Sequence, residues 1–223
     1  MSKNGNTLGI LGLGNRSTLF YIHALNTEFN KIEKDYNTFP FILYNTNFNL
    51  INPYLPDTFE KLLPQLSEYI HYMEKLPINR LLIPNITIHE ALDKLDISLP
   101  LLHPLTLSIN YLKKNNINQV VVFGSKYTMT STYISNYFSS EGIRVNSPLQ
   151  KDIEFIDALR QKIYSNSETA IDLDNYTKLL EKYSKQALVL IACTELSILN
   201  MPTEGLDLAR LQIKEAIATF KRI

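Results

Sequence analysis

Cys193 is the only cysteine in 223 residues. A lone cysteine excludes an internal disulfide and a thiolate metal cluster within one chain. Charge of one sign is missing too: 22 Lys and Arg meet 22 Asp and Glu, and the net charge is zero. Phosphate neutralisation needs a basic surplus, so this balance, with no dense Lys/Arg run, argues against a nucleic-acid partner. No apolar run reaches the about 18 residues of a membrane span. The start, "MSKNGNTLGILGLGNRS", has an apolar stretch too short for a signal peptide, with Arg16 close behind it. The expected compartment is the cytoplasm, with no membrane partner. His23, His71, His89 and His103 are scattered, and none forms an H-x-x-x-H pair, so no metal site is expected.

What is present is ordinary soluble material, 45% hydrophobic and 20% charged. The length suits one large domain or two lobes of about 100 residues each. Apolar strands are expected over 6–11, 39–45, 80–84, 99–103, 118–124, 142–146 and 187–193. Helices are expected over 16–34, 57–76, 87–95, 126–140, 149–165, 172–186 and 207–222. The first carries Leu19, Phe20, Ile22, His23, Leu25, Phe29 and Ile32 at helical spacing. In the second, Asp57 and Thr58 are cap candidates, and Pro64 is a kink or a break. Strands alternating with helices, and continuously apolar, mean parallel sheets covered on both faces.

The halves echo each other. Gly14-Asn-Arg-Ser-Thr18 returns as Gly124-Ser-Lys-Tyr-Thr128. A buried strand with a small polar tip follows each: Asn85, 71 residues after Gly14, and Cys193, 69 after Gly124. The fold class expected is α/β, with two pseudo-symmetric lobes. Each lobe has a parallel sheet flanked by helices, and the active site lies in the cleft between them. Lobe 1 takes residues 1–103 plus 207–223, and lobe 2 takes 104–206.

"GLGNRS" invites a dinucleotide reading that fails twice. The third glycine is Ser17, and the second strand ends in Asn45 where an acidic ribose ligand belongs. A tight turn whose N–H groups and helix start hold a small anion is sensible at Gly14 and Ser17, and so is a plain strand–helix turn. "GSKYTM" supplies a second such turn, with the Ser125 and Thr128 hydroxyls. Cys193 stands just before a helix start at Thr194, a position expected to lower a thiol's pKa; the alternative is a small buried core residue. His89 either polarises the Asn85 tip or lies on a helix surface. Arg16 is a substrate clamp or a solvated charge.

"LGILGLGNRSTLFYI", "LYNTNF", "PNITIHEAL", "FGSKYTMTSTYISNYFSSEGI" and "LIACTEL" together resemble the aspartate/glutamate racemase superfamily, in order and through nearly the whole chain. "YNTNF" leans towards its broad-specificity amino-acid racemases. The resemblance implies a cofactor-independent racemase or epimerase of a small, acidic amino acid. One acid/base from each lobe flanks the substrate α-carbon, and the carboxylates sit on backbone amides and hydroxyls. Cys193 matches the second-lobe cysteine, with Thr194 and Glu195 following. Asn85 falls where the first-lobe cysteine stands. Thr87 and His89 match the rest of that motif, and Thr128 matches the carboxylate threonine. Gly14, Arg16, Ser17, Asn45, Thr87, Ser125, Thr128 and Thr194 are the substrate-binding candidates. The resemblance also suggests a homodimer.

Departures from the pattern bear on activity. Asn85 is an amide and does not titrate. The motif's own Asn is Ile86, Gln212 replaces a histidine, and the substrate-gripping lysine is absent around 160–166, with Lys162 close. Cys193 is then the one competent proton handler. The Asn85 face works through water or the substrate's own groups, or the chemistry is one-sided, as in the decarboxylase relatives, with Asn85 stabilising enolate-like charge. A third possibility is a degenerate protein that binds an amino acid without turning it over.

Overall fold

The computed structural model describes residues 7–56, 58–199 and 205–220. The chain forms two compact units, one up to His103 and again from Gln212, the other over Pro104–Leu211. The first unit resumes within the last helix.

The first unit runs β1 (Leu8–Gly12), α1 (Asn15–Glu33), β2 (Phe41–Asn45), two 3-10 turns (Phe48–Leu50 and Asn52–Tyr54), α2 (Phe59–Glu74), β3 (Arg80–Leu82) and α3 (His89–Leu92). Its sheet is parallel in the order β2-β1-β3, with Gly12 opposite Asn45 and Ile10 opposite Leu82. β1 is central and buried along its whole length. It reads as continuously apolar because helices cover both faces of a parallel sheet.

The second unit runs α4 (Pro104–Lys114), β4 (Gln119–Gly124), α5 (Lys126–Thr130), α6 (Thr132–Ser139), β5 (Arg144–Asn146), α7 (Gln150–Tyr164), α8 (Ala170–Ser184), β6 (Leu188–Ala192), α9 (Thr194–Ile198) and β7 (Leu206–Asp207). α10 (Leu208–Phe220) then carries the chain back to the first unit. The sheet order is β5-β4-β6-β7, again parallel, with Gly124 opposite Ala192. In each unit the first strand lies between the next two. Crevices at the carboxyl ends of such strands are where α/β sheets bind ligands.

Several elements differ from the sequence expectation. The stretch 99–103 forms no strand, only a bridge of Leu101 with Leu81. Pro100 lies within it and Pro104 follows it, and neither donates a ladder bond. The expected helix 126–140 is two helices. Ser131 is extended (φ −66°, ψ 132°), and its hydroxyl caps α6 by accepting from Tyr133 N–H. The expected helix 87–95 shortens to His89–Leu92. α1 buries Ser17, Thr18, Tyr21, Ala24, Leu25 and Phe29, whereas Leu19 and Ile32 are exposed.

Pro64 neither kinks the sequence into two elements nor ends α2. It lies on the exposed side, where water can serve the carbonyl left without an N–H. Thr58 is the N-cap of α2, but its hydroxyl donates to the Tyr54 carbonyl instead of capping the helix. Asp57 lies outside the described residues. Among the described residues, no helix is long and apolar enough to cross a membrane.

α8 is anchored at its start. Thr169 and Asp172 form a reciprocal capping box, and Lys162 of α7 donates to Asp172 at 2.7 Å. The Lys162 ammonium, followed by the Thr169 N–H and hydroxyl, lowers the Asp172 carboxyl to about 2. The folded state therefore favours the ionised form. That stabilisation is complete above the ordinary carboxylate range and is lost as pH falls towards about 2. The gap in thermal midpoint between the wild type and Asp172→Asn is expected to be full near pH 6 and to close through that acid window. A gap that stays constant down to about pH 2 would contradict the assignment.

Candidate active site

In the first unit, β1 ends at Gly12 and α1 starts at Asn15, with Gly14 as an N-cap that makes no side-chain cap bond. The Ser17 hydroxyl donates to the Gly14 carbonyl (3.1 Å), and Thr18 N–H closes on the same oxygen. Ser17 therefore staples the turn. The N-terminus of a 19-residue helix, lacking a side-chain acceptor, is suited to a small anion. Arg16 stands half-buried in that first turn.

Asn45 ends β2 beside this turn. A Cβ at position 12 would lie 2.6 Å from Asn45 Oδ1 and 2.9 Å from Thr18 Cγ2, so any other residue there would displace those side chains. The Thr46 hydroxyl and N–H both donate to the Gly12 carbonyl. The strand-end glycine matching Gly124 is therefore Gly12, not the Gly14 of the sequence repeat. The unit 1 turn is longer than its counterpart.

Asn85 follows β3 and is half-buried. Its Oδ1 accepts from Ile88 N–H at 3.1 Å, which caps the start of the 88–92 segment. This fixes the amide so that its NH2, a pure donor, is the group left to a ligand. Thr87 sits half-buried in the same turn. His89 does not lie on a helix surface. Its Nδ1–H donates to the Asn85 carbonyl (2.7 Å), its ring is fully buried, and it packs edge-on against His103 at 4.7 Å. Burial, followed by His103, lowers the imidazole to about 3, so it stays neutral and holds the turn. Gln212 is fully buried, accepting from the Tyr21 hydroxyl and donating to the Leu102 carbonyl at 2.6 Å. Its amide ties α10 to the first unit.

In the second unit, Ser125 caps α5: its hydroxyl accepts from Thr128 N–H (3.2 Å), and the buried Thr128 hydroxyl donates to the Ser125 carbonyl (2.9 Å). A Cβ on Gly124 would meet Thr128 Oγ1 at 2.2 Å and the Ala192 carbonyl oxygen at 2.9 Å. The turn after β4 is thus packed directly on the end of β6, where Cys193 follows. Cys193 is extended (φ −153°, ψ 124°) and is the N-cap of α9, with Thr194 buried behind it. Ser125, Thr128, Cys193 and Thr194 therefore share one end of one sheet, as Gly14, Arg16, Ser17, Asn45, Asn85 and Thr87 share the matching end of the other.

The thiol does not behave as its position suggested. Cys193 is 8% exposed, and its S–H donates to Glu195 Oε2 at 2.9 Å. Burial, followed by the Glu195 charge and that hydrogen bond, raises the thiol well above its ordinary range. Arg160 and the Leu196 N–H pull it back only partly. α9 has five residues, too short for its dipole to offset burial and an adjacent carboxylate. The resting group is the protonated thiol. Glu195→Gln removes the opposing charge and is expected to lower the thiol pKa. Iodoacetamide should then label Cys193 faster at about pH 8 than in the wild type. Unchanged or slower labelling would contradict the arrangement.

Arg160 was not legible in the sequence, where the resemblance points to a lysine near 160–166. Lys162 is committed to Asp172. Arg160, on α7, is held by Nε donating to Asp157 Oδ1 at 2.7 Å, and Asp157 also accepts from Lys126 N–H. Its guanidinium acts electrically on Cys193 and Glu195. The Nη groups have no hydrogen-bond acceptor among the described residues, so the fork is available to a carboxylate. The signal was the i,i+3 pair Asp157/Arg160, which looks like any surface ion pair. Among the described residues, no group of three or more His, Cys, Asp or Glu is placed to hold a metal ion.

No protein-family model and no curated protein matches this chain. Solved structures do. An aspartate racemase homologue from Pyrococcus horikoshii aligns with a TM-score of 0.81 at 20% identity, over 97% of this chain and 100% of that one. Picrophilus torridus aspartate racemase gives 0.79 at 18%, over 97% and 94%. Arylmalonate decarboxylase gives 0.52 at 10%, over 97% and 93%. At these identities the likeness is one of fold. With its two parallel α/β units, the chain has the fold of the aspartate/glutamate racemase superfamily.

Proposed function

We propose that the protein is a cofactor-independent, racemase-type isomerase of a small, acidic amino acid, with Cys193 as proton donor and acceptor. The observation that carries this reading is the Cys193–Glu195 hydrogen bond beside the guanidinium of Arg160. Loss of the α-proton puts charge on the carboxylate, and fixed donors lower that cost. In the forward direction Glu195 accepts the thiol proton and the thiolate takes the α-proton. In reverse the S–H returns a proton to carbon. Arg160, Ser125, Thr128 and the turn at Gly14, Arg16 and Ser17 hold the carboxylates, with Asn45, Thr87 and Thr194 completing the surroundings. Asn85 donates hydrogen bonds and carries no proton, so water completes the transfer on its side and inversion is slow.

The fixed Asn85 amide favours a second reading: one-sided chemistry, such as decarboxylation, with Cys193 protonating the carbanion. Incubation of L- and D-amino acids in deuterium oxide separates the two. α-Deuteration with a racemic product supports the isomerase. Exchange with fully retained configuration overturns it. No exchange, with carbon dioxide released from malonate-type acids, supports the second reading. Neither activity, with an amino acid bound, would leave a binding protein.

A further inference from the structure

Tyr176, on α8, is fully buried, and its hydroxyl has no hydrogen-bond partner. A buried unmatched hydroxyl is costly, and native structures rarely keep one without a reason. Its place in the fold supplies one. The Tyr176 ring packs 6.0 Å from Phe123, near the end of β4. Phe123 is paired with Ile191 of β6. Cys193 lies two residues beyond Ile191 in extended backbone, so its side chain points to the same sheet face as Ile191 and Phe123, the face that α8 covers.

In the resting state the Cys193 S–H donates its hydrogen bond to Glu195, and a neutral sulfur is a weak acceptor. A thiolate is a strong one. We propose that Tyr176 is a positioning residue whose hydroxyl donates to the Cys193 thiolate when that thiol gives up its proton. Tyr176 keeps its own proton throughout. The orphan donor is then kept for charge that exists only during turnover, and it turns to the sulfur when that charge forms.

The surrounding charges agree. Burial, followed by Cys193 and Asp207, pushes the Tyr176 phenol far up, so the hydroxyl is held in its protonated, donor form. Asp207 is already engaged by the Ser197 hydroxyl (2.9 Å) and Arg210 N–H (3.0 Å). The other charged groups acting on the thiol are Glu195 and Arg160. The ring is fixed by α8, whose start is locked by Thr169, Asp172 and Lys162.

The inference rests on Cys193 being the acid/base, but its test needs no substrate. Because the chain has one cysteine, iodoacetamide uptake against pH reports this thiol alone. Tyr176→Phe is expected to raise the midpoint of that profile by about one pH unit while leaving thermal stability equal or higher, since it deletes an unmatched hydroxyl. A merely structural tyrosine would change stability and leave the midpoint in place; an unmoved midpoint overturns the proposal. Should Tyr176→Phe fail to fold, difluorotyrosine at position 176, a stronger donor of nearly the same shape, decides. Its expected effect is a lower midpoint, and an unmoved one again overturns the inference. Deuterium exchange on the same variant reports separately on the isomerase reading.

Discussion

Cys193→Ala is expected to reduce α-proton exchange by about 10²- to 10⁴-fold, the usual worth of a positioned acid/base. The reason is specific to this chain. Asn85 does not titrate, and His89 is buried, neutral and bound to a backbone carbonyl. Among the described residues of the Asn85 turn, neither is therefore placed to stand in for the thiol. The substitution removes one sulfur from a buried position and should cost only about 1 kcal/mol of stability, so circular dichroism should show an intact fold. Exchange persisting above roughly a tenth of the wild-type rate would show that another group carries the proton.

Asn85→Cys is expected to work in the opposite direction. It places a group that can exchange a proton where the chain has a fixed amide. Inversion should rise by about 10²-fold or more, with much less change in exchange through Cys193. The variant loses the bond that Asn85 Oδ1 accepts from Ile88 N–H, and sulfur replaces it poorly. A stability loss of about 1 kcal/mol is therefore expected alongside the gain. Inversion that stays at the wild-type level in a folded variant would mean that Asn85 is not at the reacting face.

The strands were legible in the sequence for a physical reason. Ile10, Leu11, Val120, Val121, Val122, Phe123, Val189, Leu190 and Ile191 are all nearly inaccessible, because parallel strands are covered on both faces. An apolar run is then the whole signal. The stretch 99–103 also carries an apolar run but contains Pro100, is followed by Pro104 and makes a single bridge. Ser131 looks like any helical serine until its hydroxyl is seen capping the next helix. The repeat was legible, but its pairing was not: the close packing at Gly12 depends on Asn45 and Thr18, which the sequence does not bring together.

The same limit applied to the site. Asn85, Cys193 and Thr128 were visible as tips of strands and turns. The charge state of Cys193 was not, because it depends on how deeply the sulfur is buried and where the Glu195 carboxylate turns. A helix start alone predicted a lowered pKa, and burial with an adjacent carboxylate outweighs it. Arg160 and Tyr176 lie on helices far along the chain, and only packing carries them to the end of β6.

The measurement that tests the central claim most directly is the stereochemical course in deuterium oxide, starting from each pure enantiomer of the amino acid that exchanges. With a single thiol as the proton carrier, one enantiomer should gain deuterium in the recovered substrate faster than it inverts, because Cys193 returns a deuteron to the face it deprotonates. The other enantiomer should exchange only as slowly as it inverts. Equal rates from both enantiomers, with deuterium found only in inverted product, would show two competent acid/bases and contradict the account.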